Sequence, residues 1–405
     1  MAFEFELKCR TCGTTYNQNR IIFTCDHCPG LLDVLDKGAP REGNQFPRGR
    51  QSGLWKYAQL LPFGHDSRRI SLGEGGTPLL SSSRLADKIG LGGLYLKCEY
   101  VNPTASFKDR GMSAAVSAAI VLGVTDVFCA STGNTAASLS AYAARGGLRA
   151  VLVLPTHVPI GKLSQAVLHE PTILRISGNF DAAMALVTDI GRRGYYLINS
   201  INPYRVEAQK TAAYEIAEDL DWKVPDHVIL PAGSGGFLTA MYKGFADLAR
   251  WDLITKMPRL GAVQSDNVAP IVTAARQGSR SIVPLREHAG TVAGGISIGC
   301  PVHGLDAVHA VHTTGGIAET VTEDEILTAQ NELAQVEGIG VEPTAAVAFA
   351  GLKRARAAGT VSPRDTVVCV LTGHALKDTA TIMHRGVREI AIEPGESTDG
   401  ILGRL

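Results

Sequence analysis

One lysine stands where a strand is expected to turn into a helix. The stretch 102–111 reads NPTASFKDRG, and its Asn-Pro-Thr is a turn signal because proline restricts its own backbone and that of the residue before it. Ser106 can cap the alanine-rich run that follows, so the sequence predicts a helix beginning near Lys108. A cation in a first turn is mildly unfavourable. The alternatives are an ordinary solvated lysine or an amine that forms a Schiff base with pyridoxal phosphate.

Four cysteines near the N-terminus have the spacing of a metal site. They form two C-x2-C pairs that are separated by twelve residues: Cys9, Cys12, Cys25 and Cys28. Four thiolates can surround one Zn²⁺ tetrahedrally, and the glycines after each pair suit tight turns. The alternative is four ordinary reduced cysteines. The spacing favours a structural Zn²⁺ and a zinc-ribbon-like module at residues 1–40.

Charge argues against a nucleic-acid partner for this module, although many zinc ribbons bind nucleic acid. Residues 1–50 carry seven Lys and Arg against six Asp and Glu, and the whole chain has a formal net charge of zero. Neither nucleic acid nor a membrane surface is therefore expected as a partner. The apolar runs have strand length and no secretory signal is visible, so we expect a cytoplasmic enzyme with reduced cysteines.

The candidate chemical residues follow predicted strands. The stretch 131–135 (STGNT) follows one strand and opens a helix, so its amides, its hydroxyls and the helix dipole make an anion site. The stretch 231–237 (PAGSGGF) is a second turn of this kind, whose glycines let amides converge on a phosphate. Predicted strands alternate with predicted helices, among them 160–169 and 323–337. This alternation predicts parallel sheets covered on both faces, with ligands at the strand C-terminal ends.

Four motifs in order resemble those of one family. They are the stretch 102–111, the stretch 131–138, NSINPYR at 199–205 and LTGHALKD at 371–378. Together they resemble fold-type II pyridoxal-phosphate enzymes (the tryptophan synthase beta-like group), and within them the threonine synthase family, from about Trp55 to Asp378. The resemblance implies an α/β fold with two doubly wound parallel-sheet domains after the zinc-ribbon-like module. It implies a linker and N-terminal part of the large domain at 41–96, a small domain at 97–198, the large domain at 199–380 and a tail at 381–405.

The resemblance also implies roles for individual residues. Lys108 would be catalytic and would carry the cofactor, Asn134 would bond the pyridoxal 3′-oxygen, and Thr372 would meet the pyridine nitrogen. The remaining cofactor contacts implied are Phe107, Gly233, Ser234, Gly235, Gly236 and Phe237. The α-carboxylate of an amino-acid substrate would be held by Ser131, Thr132 and Thr135. A substrate phosphate would be held by Lys162, Asn199, Ser200 and Arg205.

Two departures from the family pattern keep other substrates open. Ser234 and Gly236 stand in a loop where threonine synthases usually carry asparagines, and Cys300 precedes a proline where asparagine is common. The resemblance implies threonine formation from O-phospho-L-homoserine and water by γ-elimination and β-addition, in a homodimer. The alternatives are β-replacement or elimination on another amino acid, cysteate synthase-like or threonine dehydratase-like. A third is a non-catalytic zinc-ribbon binding protein.

Overall fold

A computed structural model describes residues 5–36, 46–47, 53–63, 68–156, 163–178, 180–383, 386 and 389–404. Lys162 lies outside these residues. The described strands are β1 Phe5–Cys9, β2 Thr15–Asn17, β3 Leu32–Asp36, β4 Leu79–Ser81, β5 Gly93–Lys97, β6 Asp126–Cys129, β7 Arg149–Pro155, β8 Thr172–Ile176, β9 Tyr196–Leu197, β10 His227–Pro231, β11 Arg259–Ser265, β12 Ala318–Val321 and β13 Thr366–Val370.

Helices alternate with the strands after β4. They are α1 Ser83–Ile89, α2 Lys108–Val121, α3 Asn134–Gly146, α4 Ser164–Val167, α5 Phe180–Arg192, α6 Pro203–Gln209, α7 Thr211–Asp219, α8 Gly236–Arg250, α9 Pro270–Arg276, α10 Gly304–Thr314, α11 Glu323–Glu337, α12 Pro343–Ala357, α13 Ala380–Met383 and α14 Thr398–Leu402. Within the described ranges, no helix combines the length and the apolar composition that a membrane span requires.

The larger sheet has six strands in the order β12-β11-β10-β13-β5-β4. Five of them are parallel, but β4 runs antiparallel to β5, with Leu79 opposite Lys97. The prediction of an entirely parallel sheet is therefore wrong at this edge. The physical reason is the connection between β4 and β5, which spans only residues 82–92 and holds α1. A parallel crossover takes a dozen or more residues.

The smaller sheet is parallel throughout and has the strand order β8-β7-β6-β9. β7 is apolar and buried from Ala150 onward, as expected for a strand covered on both faces, whereas β6 is buried only at Val127 and Cys129. α2 supports the close packing around this sheet with small side chains, and it is buried along most of its length. Gly111 lies where a Cβ would come 3.0 Å from the Cβ of Arg205, so α2 and α6 approach closely.

The cysteine-bearing N-terminus folds as a three-stranded antiparallel sheet with the order β2-β1-β3. It packs on the body through aromatic pairs. The Phe5 and Tyr204 rings meet edge to face at 5.8 Å, and those of Phe23 and Tyr196 do so at 5.3 Å. These residues belong to one buried apolar cluster that continues into the smaller sheet and its helices. The module therefore shares a core with the body.

Candidate active site

The lysine motif is closed by a segment that is distant in sequence. The Phe107 N–H donates to the Thr372 carbonyl at 3.1 Å, and Ser106 forms an isolated antiparallel bridge with Gly373. Ala105 has a φ of 64°, a conformation that non-glycine residues rarely adopt. The predicted helix start is confirmed, because α2 begins at Lys108. The lysine thus lies at the edge of the larger sheet where parallel strands β5 and β13 end.

The Lys108 amine is in an environment that disfavours its charge. Burial, with the nearby Arg205 guanidinium, lowers the pKa of Lys108 to about 7, although the carboxyl group of Glu342 acts in the opposite direction. Its Nζ lies 4.1 Å from the centroid of the Phe107 ring. A substantial fraction of the amine is therefore unprotonated near neutral pH, which is the form that attacks a carbonyl carbon.

The glycine loop between β10 and α8 is shaped by close backbone contacts. A Cβ on Gly233 would lie 2.9 Å from the Gly295 carbonyl oxygen. Gly235 has a φ of +85°, and a Cβ there would lie 2.5 Å from the His303 carbonyl oxygen. The fifteen-residue helix α8 starts at Gly236, so its first N–H groups point out of this loop. Both positions require glycine because backbone carbonyls lie against them, and the N–H groups that begin α8 remain available to a phosphate.

The glycine loop and the lysine motif are in direct contact. The Phe237 and Phe107 rings stack with centroids 4.3 Å apart and an interplanar angle of 12°. Ser234, in the same loop, accepts a hydrogen bond on its carbonyl oxygen from the His303 N–H at 2.8 Å. The residues that the sequence predicts to hold the cofactor phosphate are thus placed beside the lysine that would carry the cofactor.

Thr372 follows β13 and has a buried hydroxyl. The residue is 2 % exposed, and its Oγ1 has no hydrogen-bond partner among the described residues. A buried hydroxyl without a partner costs free energy, so this atom fits a ligand atom that hydrogen-bonds to it. The pyridine nitrogen of pyridoxal phosphate is such an atom. The lysine, the glycine loop and this hydroxyl together fit the cofactor.

Asn134 begins α3 and is held by a carboxylate that the sequence analysis missed. Its Nδ2 donates to the two carboxyl oxygens of Glu342 at 3.0 and 3.3 Å. The Glu342 N–H in turn donates to the Gly373 carbonyl at 3.0 Å. Burial raises the pKa of Glu342 to about 7. A glutamate directly before Pro343, at the start of a helix, was the available sequence signal.

Three hydroxyl residues lie around Asn134: Ser131, Thr132 and Thr135. All three are partly exposed, in the turn that joins β6 to α3 and in the first turn of the helix. The Gly133 N–H donates to the Ser131 hydroxyl at 3.3 Å. These residues lie at a strand C-terminal end, and both the anion site and the role of each hydroxyl stay predictions.

Arg205 is a buried cation that has no carboxylate partner among the described residues. The residue is 4 % exposed, and its Nε and Nη1 have no partner within the described part of the chain. Burial lowers its pKa to about 10. The Nδ2 of Asn199, just before α6, is also buried without a described partner. Two donors that could serve one anion are therefore positioned at the same end of the smaller sheet.

Three further residues that the sequence analysis named are Ser200, Cys300 and Lys162. Ser200 offers its carbonyl oxygen to the His303 ring at 2.7 Å. Cys300 is exposed, so it is not a packed core thiol. Lys162 cannot be placed, because it lies outside the described residues.

The four cysteine sulfurs converge as their spacing predicts. All lie within 4.8 Å of one another, and the Cys9–Cys28 and Cys12–Cys25 pairs of sulfurs are each 3.5 Å apart. Sulfurs arranged tetrahedrally at about 2.3 Å from Zn²⁺ would be about 3.8 Å apart. A Cβ on Gly30 would lie 2.6 Å from the Cys9 sulfur, which explains the glycine. The cluster is compatible with zinc.

Comparison with known proteins agrees with this site. The family described as "Pyridoxal-phosphate dependent enzyme" matches residues 70–373. The chain therefore belongs to the pyridoxal-phosphate-dependent enzymes. The threonine synthase of Methanosarcina acetivorans is 45% identical over 94% of this chain and 94% of its own length. That of Methanocaldococcus jannaschii is 42% identical over 95% and 96%. Within its class the chain thus belongs to the threonine synthase family.

Solved structures share the fold at lower identity. The processed form of threonine deaminase isoform 2 from Solanum lycopersicum is 22% identical, with a TM-score of 0.63 over 76% of this chain and 86% of its own. O-ureido-L-serine synthase is 20% identical, with a TM-score of 0.62 over 81% and 96%. At such identities the likeness concerns the fold alone. It supports a fold-type II architecture with α/β mixed sheets.

Proposed function

We propose that this chain is a threonine synthase that converts O-phospho-L-homoserine and water to L-threonine and phosphate. The observation that carries the proposal is Arg205, a buried guanidinium with no carboxylate partner among the described residues. A planar guanidinium suits phosphate through paired hydrogen bonds. Its electrostatic effect on Lys108 indicates that the two cations are close together. A dehydratase acting on free threonine would not need this arginine.

Residues of the chain divide the work of the reaction. Pyridoxal phosphate, when bound through Lys108, supplies an electron-withdrawing ring that acidifies the substrate Cα. Lys108 Nζ moves protons at Cα and Cβ, while Arg205, Asn199, Ser200 and Lys162 hold the phosphate that leaves from Cγ. A proton is delivered to Cγ, which becomes the methyl group, water adds its hydroxyl at Cβ, and Cα regains a proton. The departing phosphate takes up the remaining proton.

The cofactor contacts proposed for this site follow the sequence prediction. Phe107, Gly233, Ser234, Gly235, Gly236 and Phe237 surround the cofactor, and Asn134 meets its 3′-oxygen. Ser131, Thr132 and Thr135 hold the substrate α-carboxylate. The neutral hydroxyl of Thr372 does not protonate the ring nitrogen, so the ring withdraws fewer electrons than one paired with a carboxylate. This favours chemistry at Cβ and Cγ over transamination.

The N-terminal module is proposed to be a zinc-ribbon-like unit at residues 1–40 with one structural Zn²⁺. The converging sulfurs of Cys9, Cys12, Cys25 and Cys28 support this proposal. We further propose a small domain at 97–198, a large domain at 199–380 and a homodimer. The sheet made of β6 to β9 and the sheet centred on β13 support the division into two domains.

The second candidate is β-replacement or elimination on another amino acid. The loop with Ser234 and Gly236 favours it, because the asparagines usual in threonine synthases are missing there. A charge-assisted bond to phosphate contributes roughly 1.5–3 kcal/mol and a neutral one about 0.5–1.5 kcal/mol. The retained arginine therefore outweighs a lost amide, and phosphohomoserine stays the preferred substrate.

The test assays phosphohomoserine, phosphoserine and threonine side by side, measuring phosphate release and amino-acid products. We expect threonine and phosphate from phosphohomoserine alone. Lys108→Ala should lack the visible cofactor band and show negligible turnover. Lys88→Ala is the matched control, because Lys88 is half exposed and pairs with Glu332 on the surface. Full activity of Lys108→Ala, or a preference of the native protein for phosphoserine, would refute the proposal.

A further inference from the structure

His303 connects the two segments that are proposed to bind phosphates. Its ring Nε2 lies 2.7 Å from the Ser200 carbonyl oxygen, at the proposed substrate-phosphate site. Its backbone N–H donates to Ser234, and a Cβ on Gly236 would lie 3.3 Å from its ring. The residue is 3 % exposed. It therefore supports the cofactor-phosphate loop and the substrate-phosphate segment at once.

Arg10 and Asp306 both contact the Nδ1 atom of His303. The Arg10 Nη1 lies 3.1 Å from Nδ1 and also pairs with Asp306, whose Oδ2 lies 3.3 Å from Nδ1. The Ser200 carbonyl can only accept, so Nε2 carries a proton and donates to it. A guanidinium nitrogen can only donate, so the contact with Arg10 favours an unprotonated Nδ1. The Ser200 carbonyl thus places a proton on Nε2, and Arg10 helps to orient the imidazole from its other side.

Arg10 belongs to the cysteine module, where it directly follows Cys9. Its second nitrogen, Nη2, bonds Asp33 in β3 at 2.9 Å, and Asp33 in turn accepts from Lys243 of α8 at 2.8 Å. The backbone around Arg10 is tied to the cluster, because the Thr11 and Cys12 N–H groups approach the Cys9 sulfur at 3.4 and 3.5 Å. The backbone that follows Arg10 is therefore held by the Cys9 sulfur, which lies within 4.8 Å of the other three sulfurs.

We propose that His303 is a positioning residue for both phosphate-binding segments, and that Arg10 makes the cysteine module part of the active-site support. The module thus acts on cofactor and substrate affinity through one arginine–histidine contact. The substrate half of this inference rests on the proposed function, whereas the cofactor half rests only on the family. Removing the metal from a folded protein should accordingly weaken phosphate binding, although the four cysteines are not among the residues proposed to contact cofactor or substrate.

The experiment measures the dissociation constant of pyridoxal phosphate from apoprotein and the phosphorus-31 shift of the bound cofactor. Arg10→Ala should weaken cofactor binding about two- to tenfold, the range expected for one lost hydrogen bond, and should move the phosphorus resonance. The KM for phosphohomoserine should rise and kcat should change little. Arg20→Ala is the matched control, because Arg20 lies in the same module but pairs there with Asp26.

Two histidine variants separate the halves of the contact. His303→Gln keeps an amide donor for Ser200 and loses the acceptor for Arg10, whereas His303→Asn keeps an acceptor for Arg10 and loses the donor. Adding Arg10→Ala to His303→Gln should cause no further weakening, because the contact is already broken. If Arg10→Ala folds poorly, the conservative Arg10→Lys replaces it in the cycle. The coupling between the two positions is then measured by combining Arg10→Lys with His303→Gln and with His303→Asn.

The outcomes are distinct. Native cofactor affinity and an unmoved phosphorus signal in folded Arg10→Ala would overturn the inference, as would additive effects in the cycle. Treating the native protein with a chelator should reproduce the weaker cofactor binding but leave Arg10→Ala little changed. If the native protein does not turn over phosphohomoserine, the proposed function fails, and the cofactor measurements still test the inference.

Discussion

Arg110 on α2 and Arg205 on α6 are both buried, and their helices pack against each other, yet their surroundings differ. Arg110 is saturated: its three nitrogens donate to both carboxyl oxygens of Glu99 and of Glu215 at 2.6–2.8 Å. Arg205 has no carboxylate, and two of its nitrogens have no partner in the described structure. The neighbouring carboxylates raise the pKa of Arg110, while burial lowers that of Arg205 to about 10.

The difference separates a cation that holds the fold from one that is available to a ligand. Burying a charge costs several kcal/mol unless it is paired, so the fold compensates the charge of Arg110 within the chain. At Arg205 the compensation is missing from the described residues and must come from an anion. The same contrast holds for carboxylates. Two cations lie beside Glu215 and lower its pKa, whereas Glu342 accepts hydrogen bonds from an amide and has a raised pKa.

The largest effect is expected from removing the saturated arginine. Arg110→Leu leaves Glu99 buried without its cation and Glu215 with Lys97 alone, and should lower the free energy of unfolding by about 3–5 kcal/mol. Denaturant unfolding of the apoprotein measures this. Adding Glu99→Gln should recover part of the loss, because one uncompensated charge is removed. A loss below about 1 kcal/mol would show that the network contributes little.

Removing the unpaired arginine should affect binding and not stability. Arg205→Ala should raise the KM for phosphohomoserine by about ten- to a hundredfold, because a charge-assisted contact to phosphate is lost. Apoprotein stability should stay the same or increase, since an uncompensated buried charge is gone. Ser234→Asn, a change in the neighbouring loop, should alter the KM less. Unchanged kinetics in Arg205→Ala would mean that the substrate carries no phosphate at this position.

Glu342 extends the comparison to pH-dependent stability. Its pKa is about 7 in the folded protein against an ordinary 4.5, so the folded state binds more protons than the unfolded state between these values. Stability contributed by this group is therefore lost as pH rises from about 4.5 to 7. Glu342→Gln does not titrate, so its free energy of unfolding relative to that of the native apoprotein should rise by about 2 kcal/mol across that window. Unfolding at pH 5 and pH 8 measures the change. A constant difference would contradict the raised pKa.

The smallest effect concerns the influence of Arg205 on Lys108. The rate at which apoprotein captures pyridoxal phosphate should rise with pH through about 7, because only the unprotonated amine reacts. Arg205→Gln removes a neighbouring positive charge, so the Lys108 pKa and the midpoint should move upward. Stopped-flow absorbance across pH 5.5 to 9.5 follows the change. A midpoint that stays in place would show that burial alone lowers the pKa.

Local signals allowed part of this site to be predicted. Lys108, Asn134 and Thr372 follow strands, and each carries a recognisable motif in the residues around it. The span of α11 was also predicted correctly, from Glu323 to Glu337, and the structure places a capping box there between Thr322 and Glu325. Where neighbouring residues determine the structure, the sequence was sufficient.

The parts that could not be predicted depend on partners far along the chain. Glu342 contacts a residue 208 positions away, and the partner of Arg10 at His303 is 293 positions away. No periodicity or spacing reports such pairs. The helix predicted at 160–169 is a local prediction that the described structure supports only in part. Its described part contains only the four residues of α4, and residues 157–162 lie outside the described structure.

The place of β13 in the larger sheet has a consequence for synthesis of the protein. β13 is the last described strand along the chain, yet it lies in the middle of the sheet between β10 and β5. During synthesis, strands β4 and β5 cannot join strands β10 to β12 in one sheet until residues 366–370 have emerged from the ribosome. The same late segment delivers Thr372 and closes the lysine motif. A nascent chain therefore acquires its cofactor site only after residues 366–373 have emerged, and shorter products expose unpaired strand edges that favour aggregation.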